Sequence, residues 1–403
     1  MATTSPKTAS YIEESEKYSA HNYHPLPVVL EKAERVWVWD VEGKKYMDCL
    51  SSYSAINQGH RHPKIINALK EQADRLTLTS RGFYNDKMGS WLKLLCELTG
   101  YEKALPMNTG AEAVETALKT ARKWGQYVKG VPAGSQEIIV CANNFHGRTI
   151  TIITFSSDAQ TKDGFGPYTP GFVTIPYGDA KALEKAITKN TVAFMVEPIQ
   201  GEAGVVVPPK GYLKECAEIC RKHNVLLVAD EVQTGFCRTG KWFACQHEGV
   251  RADIMVLGKA LGGGMYPVSA IVCDDKIMSV FKPGDHGSTF GGNPLAAAVS
   301  TAALEVLRDE KLDERAAEMG GYFMEKLKGL GNPHVEGIRG QGLLIGMIIK
   351  NSSGKARPWC EKLMGHGILA KDTHEQVIRF APALVINREE VDWAVERISQ
   401  ALR

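Results

Sequence analysis

The sequence predicts an α/β protein: a large domain built on a mostly parallel sheet, followed by a smaller α+β domain. Three observations carry this. Short apolar runs alternate with helical periods through the middle of the chain. Two of those runs, Val225–Ala229 and Ile254–Leu257, lead into chemically active residues, Asp230 and Lys259. Beyond about residue 311 the alternation loosens.

In chain order, Arg35–Asp40 and Lys45–Asp48 alternate in hydropathy around Glu42-Gly43, which predicts a β-hairpin. Helical spacing follows at 63–76 and 86–99. Strands are expected at 138–140, 192–196, 225–229, 254–257 and 268–273, with helices at 110–124, 180–188 and 211–222. The last part reads as helix 312–330, strand 342–349, helix 356–365, strand 377–380 and helix 388–402. The expected units are an N-terminal segment, 1–53, packing with the small domain, a large domain, 54–311, and a small C-terminal domain, 312–403.

An apolar fraction of 44% and a charged fraction of 23% suit an enzyme with a sizeable core. A net charge of +2 gives no pull toward nucleic acid or an anionic membrane. No run approaches the roughly 18 apolar residues of a membrane span. The nine cysteines are odd in number and include no C-x-x-C, so they read as reduced intracellular thiols rather than disulfides or a zinc site. Cys216 and Cys220, four apart on a helix, read as neighbouring thiols, with redox sensing as the alternative. The first twenty residues carry Glu13, Glu14 and Glu16 and no arginine, unlike a secretory or mitochondrial leader. The expected location is the cytoplasm. A presequence already removed, with residence in the mitochondrial matrix, would leave the same picture.

Lys259 follows a buried strand and precedes Gly262-Gly263-Gly264, which places a long amine at the carboxyl end of a central strand, where open α/β sheets bind ligands. Asp230 ends another strand in the same way. A Schiff-base lysine and an aspartate for a pyridinium nitrogen are what pyridoxal phosphate chemistry requires. Asn108-Thr109-Gly110-Ala111-Glu112 opens a strong helix, and a glycine there lets backbone N–H groups approach a phosphate. A plain N-cap by Asn108 or Thr109 is the competing reading. Gly287-Ser288-Thr289 could add hydroxyl donors or be an ordinary loop. Other motifs fail. Gly340-Gln341-Gly342 leads into a strand rather than a helix, so it is no dinucleotide site. His60-x-His62 has no carboxylate or thiol cluster beside it, and no metal is expected.

These pieces, in order, resemble the class III aminotransferases of the pyridoxal phosphate fold-type I superfamily. They are Asn108-Thr109-Gly110 with Glu112, Phe145-His146-Gly147-Arg148-Thr149, Val196-Glu197-Pro198-Ile199-Gln200-Gly201-Glu202, Asp230-Glu231-Val232-Gln233-Thr234-Gly235, Leu257-Gly258-Lys259-Ala260-Leu261 and Gly287-Ser288-Thr289. The stretches 21–28, 50–60 and 378–382 resemble the branch of that family acting on L-ornithine and 2-oxoglutarate. His146 departs from it, because some members of that branch carry tryptophan there.

The resemblance implies a homodimer with shared active sites, and a role for each matching residue. Lys259 would hold the cofactor and move the proton, and Asp230 would pair with the ring nitrogen. Phe145 or His146 would stack on one face and Val232 pack on the other, both otherwise core residues. Gln233 would donate to the phenolic oxygen. Thr109, Gly110 and Ala111 would bind the phosphate, joined by Ser288 and Thr289 from the neighbouring subunit. Arg148 would clamp the α-carboxylate of ornithine, with Tyr23 assisting and Tyr53 shaping the pocket. Arg379 would bind the second substrate, masked by Glu202 until then. The alternative for that pair is a static ion pair. Competing activities are an acetylornithine or 4-aminobutyrate aminotransferase and, more remotely, a non-catalytic binding protein on the same fold.

Overall fold

Strands buried on both faces need unbroken apolar side chains, and the centre of the chain supplies them. The computed structural model describes residues 5–403. Its strands are β1 (Leu30–Glu34), β2 (Trp37–Asp40), β3 (Lys45–Asp48), β4 (Lys103–Met107), β5 (Glu137–Cys141), β6 (Phe172–Ile175), β7 (Thr191–Val196), β8 (Leu226–Asp230), β9 (Ile254–Leu257), β10 (Ser269–Cys273), β11 (Val335–Gln341), β12 (Leu344–Ile349), β13 (Ile368–Leu369), β14 (Lys371–Thr373) and β15 (Val377–Phe380).

The main sheet has the order β4-β10-β9-β8-β7-β5-β6. Strand β10 runs antiparallel to β4 and β9, and the remaining pairs are parallel. Every residue of β7, β8, β9 and β10 is buried. The helix Gly110–Tyr127 lays Ala113, Val114, Ala117, Leu118 and Ala121 against Ile138, Val140, Val228, Val256 and Ile271. Each large apolar side chain buried in this way contributes roughly 1.5–3 kcal/mol. A capping box between Thr109 and Glu112 fixes where the helix starts.

Two smaller sheets flank this layer. In the first, β1, β2 and β3 are antiparallel and β13 joins β3 in parallel, so the N-terminal hairpin pairs with a C-terminal strand. In the second, β11, β12, β15 and β14 form an antiparallel sheet. The hairpin, strands β5, β7, β8, β9 and β10 and the long C-terminal helices lie where the sequence places them, within a few residues, whereas β4 and β6 of the same sheet were not expected. Strands β1 and β11 went unread for a physical reason. Leu30–Glu34 is almost wholly exposed and shows no apolar alternation, and Val335–Gln341 is half-buried with two glycines. The Gly340–Gly342 motif ends β11 and enters the tight turn to β12 at Gly342. His60 and His62 turn to carboxylates, Asp48 and Glu310, each at 2.8 Å. All nine cysteines are free, and Cys216 and Cys220 are buried together on the helix Tyr212–Lys222. Among the described residues no helix is long and apolar enough to cross a membrane.

Because β7, β8 and β9 are parallel neighbours, their carboxyl ends open on one edge of the sheet. Glu197, Asp230 and Lys259 stand at those ends.

Candidate active site

Lys259 begins a short 3-10 turn directly after β9 and has φ of +45°. A lysine gains nothing locally from that conformation, so the surroundings impose it. With Gly110, Ala111, Phe145, His146, Gly147, Glu197, Ile199, Asp230, Val232, Gln233 and Thr234 it lines a cavity of about 150 Å³. Burial holds its amine below the usual lysine range, while the charges of Glu202 and Asp230 pull it back up.

Asp230 is buried and uses both oxygens. Oδ2 lies 2.6 Å from His146 Nδ1, and Oδ1 accepts from the Val232 N–H at 3.0 Å. His146 is therefore held edge-on by the aspartate, while its Nε2 is buried without a partner. Burial opposes protonation of His146, but the hydrogen bond and charge of Asp230 outweigh it and raise its pKa. Phe145 is the more exposed ring of the two, and its N–H donates to Glu197 Oε2 at 2.9 Å. Burial, reinforced by the charge of Asp230, pushes Glu197 up to about 7 against the opposing charge of His146.

At the head of the helix Gly110–Tyr127, Glu112 Oε2 accepts from the N–H groups of Asn108 and Thr109, at 3.0 and 2.8 Å. Thr109 Oγ1 accepts from the Glu112 N–H. The capping box thus engages its own donors and leaves the Gly110 and Ala111 N–H groups uncapped at the cavity wall. A Cβ at Gly110 would stand 3.1 Å from Val232, which packs against both Gly110 and Gly258.

Arg379 on β15 is fully buried. Its Nη1 donates to Glu202 Oε1 at 2.6 Å and to Gln233 Oε1 at 3.2 Å, and Gln233 Nε2 donates to the same Glu202 oxygen at 3.0 Å. The amide expected on the cofactor's oxygen is thus engaged with this ion pair as well. Burial pushes Glu202 up, but the charge and hydrogen bond of Arg379 hold it below the usual range. Nε and Nη2 of Arg379 are buried with no partner, so half of the guanidinium is free for a second carboxylate.

The Tyr53 ring lies 4.9 Å from the Arg379 guanidinium. It is presented by four consecutive residues with positive φ, Ser51 at 47°, Ser52 at 47°, Tyr53 at 60° and Ser54 at 73°. Left-handed backbone costs roughly 1–2 kcal/mol per residue. Asp48 anchors the turn by accepting from the N–H groups of Leu50 and Ser51 at 2.9 Å. Burial and the charge of Glu202 raise the Tyr53 pKa, against Arg379 and, more weakly, Arg148. Arg148 is exposed, stands 5.9 Å from the rings of both Tyr23 and Phe145, and has no ion-pair partner among the described residues.

Ser288 and Thr289 do not line this cavity. Ser288 Oγ instead accepts from Asn108 Nδ2 at 2.8 Å. The Val196–Glu202 motif contains Glu197 but by itself signals no role for it. The available signal was its position just after β7, matching Asp230 at the end of β8. The His146–Asp230 contact could not be read, since 84 residues separate the two.

A family profile described as aminotransferase class III matches residues 18–402. An ornithine aminotransferase of Brevibacillus brevis is 60% identical over 396 residues, covering 98% of each chain. A solved ornithine aminotransferase of Toxoplasma gondii, with PLP partially occupying its active site, superposes with a TM-score of 0.97 at 47% identity, over 98% of this chain and 94% of that one. An acetylornithine aminotransferase of Elizabethkingia anophelis superposes with a TM-score of 0.89 at 51% identity, over 98% of both chains.

Proposed function

The chain belongs to the class III aminotransferases, and from that premise we propose that it moves the δ-amino group of L-ornithine to 2-oxoglutarate. The products are L-glutamate and glutamate 5-semialdehyde, which cyclises to 1-pyrroline-5-carboxylate. One observation carries the substrate assignment. Two arginines lie near enough to Tyr53 for their charges to act on it, Arg148 without an acid among the described residues and Arg379 paired with Glu202.

The cavity fits pyridoxal phosphate. It offers two uncapped N–H groups at a helix N-terminus for phosphate, a buried carboxylate for a ring nitrogen and an amine at a strand end. When bound, that group supplies a carbonyl for amine exchange and an electron sink for the carbanion. Lys259 would hold it and, once displaced, carry a proton from the δ-carbon; an amine biased toward its neutral form is suited to accept one. Asp230 would keep the ring nitrogen protonated, with His146 fixing the carboxylate in place. Phe145 and Val232 would bracket the ring, and the second N–H of Gln233 would reach its phenolic oxygen.

Arg148 would clamp the ornithine α-carboxylate through two parallel hydrogen bonds, with Tyr23 beside it. While Glu202 covers Arg379, an α-carboxylate next to the reacting amine finds no cation, and the δ-amine is the one presented. The doubly charged 2-oxoglutarate would then displace Glu202 and use the free edge of Arg379.

Ser288 and Thr289 would serve the site of a second copy. The exposed rings Phe83, Tyr84 and Phe290 flank that loop, where Asn85 Nδ2 donates to the Gly292 carbonyl. Such a surface supports a homodimer, and sedimentation at micromolar protein checks it.

The decisive assay is ornithine-dependent pyrroline formation with 2-oxoglutarate as acceptor. The likeness to an acetylornithine enzyme makes acetylornithine the proper competitor. A higher kcat/KM for acetylornithine would overturn the assignment, and a protein gaining no visible absorption with pyridoxal phosphate would overturn the cofactor.

A further inference from the structure

We propose that Gly201 determines substrate choice by leaving room for the Gln233 amide, which holds Glu202 on Arg379. This rests on reading Glu202 and Arg379 as a switchable pair.

Gly201 immediately precedes Glu202, is buried, and lies outside the left-handed backbone region, so its lack of a side chain is not explained by φ. A Cβ built on it would fall 1.8 Å from Gln233 Oε1 and 2.5 Å from Gln233 Cδ. No atoms can occupy those positions together. The obstructing group is the far end of a flexible side chain, so an alanine would evict the amide and leave the backbone in place.

Gln233 is the third member of the pair. Its carbonyl accepts from Arg379 Nη1 at 3.2 Å, and its NH2 donates to Glu202 Oε1 at 3.0 Å. One amide thus bonds to both ions in the same geometry and stabilises the masked arrangement over the open one. Without it, a single hydrogen bond of 2.6 Å holds the mask. A bond from an amide to a charged group shifts such an equilibrium by about tenfold or more. The amide carries two N–H groups, so serving Glu202 leaves one for the cofactor.

The consequence is specific. Gly201→Ala should open Arg379 to α-carboxylates while leaving Arg148 and Lys259 untouched. The test uses the holoenzymes of Gly201→Ala, Gln233→Ala and the double variant. Stopped-flow absorbance of the bound cofactor measures the half-reactions with ornithine and with glutamate. Each single variant should lower the ornithine-to-glutamate ratio of kcat/KM by about tenfold, and the double variant should be no worse than Gln233→Ala alone. Additive losses, or an unchanged ratio in Gln233→Ala, would overturn the proposal. Should Gly201→Ala fold poorly, that second variant decides alone. Glutarate, an unreactive dicarboxylate, reads Arg379 without any amine chemistry, and it should bind each single variant about tenfold more tightly. An enzyme that ignores ornithine yet shows the glutarate effect would refute the substrate assignment and leave the Gly201–Gln233 coupling standing.

Discussion

The carboxyl of Glu197 ties stability to pH, and one isosteric change should cut the tie. Glutamate in the unfolded chain ionises near 4.5, whereas burial, with Asp230 adding, carries folded Glu197 to about 7. Between those values the folded protein keeps a proton that the unfolded chain has released. A folded pKa above the unfolded one gives stability that is fully present below 4.5 and is lost as pH rises through about 7. At about 1.4 kcal/mol per pH unit, the whole window amounts to roughly 3 kcal/mol. Glu197→Gln keeps an oxygen for the Phe145 N–H and cannot ionise. Its advantage over wild type should therefore grow from near zero at pH 4.5 to about 3 kcal/mol above pH 7, a rise in Tm of about 3–4 °C for a chain of this length. Thermal unfolding of both proteins from pH 5 to 8.5 measures it. His146, whose pKa is also raised, would lose stability in the same direction. An unaltered pH slope in Glu197→Gln would assign the effect to His146 and refute the argument for Glu197.

Lys259→Ala should lower ornithine turnover at least about a thousandfold in the coupled pyrroline assay, since nucleophile and proton carrier are lost together. Arg148→Lys should raise the KM for ornithine by about tenfold or more through loss of the planar fork, with 2-oxoglutarate KM little changed in steady-state kinetics. Glu202→Ala should let glutamate compete at least about tenfold better as amino donor in half-reaction kinetics; unchanged selectivity would reduce the Arg379 contact to a structural ion pair.

What the sequence made legible was what local rules encode. Strands buried on both faces announce themselves by continuous apolar runs, so β7, β8, β9 and β10 could be placed, and with them Asp230 and Lys259. The helix start at Gly110 followed from the local Asn108-Thr109-Gly110 sequence, and the structure adds a capping box there. Family resemblance, rather than spacing, suggested Glu202 beside Arg379 across 177 residues, and in the structure the two stand 2.6 Å apart. Contacts with no local signature stayed hidden. Nothing in Leu50-Ser51-Ser52-Tyr53-Ser54 specifies four residues of positive φ, because packing enforces that conformation against local preference. Gln233 looked like a cofactor contact, and its engagement with both ions depends on the missing side chain of Gly201, a steric fact visible only in three dimensions.

The arrangement of charge explains why the amine at the centre can be reactive. Three acids, Glu197, Asp230 and Glu202, meet three bases, His146, Lys259 and Arg379. Two pairs close directly, His146 with Asp230 and Arg379 with Glu202, each at 2.6 Å. That leaves Glu197 and Lys259, and neither makes an ion pair within 4 Å among the described residues. Burial disfavours an isolated charge on either sign, so the unpaired acid moves up and the unpaired amine moves down. Both shifts favour the neutral forms. A neutral Lys259 is the form that would attack a carbonyl and accept a proton, so its proposed role rests on the closure of the two neighbouring pairs. Breaking either pair would free an acid to draw Lys259 back toward its charged, unreactive state.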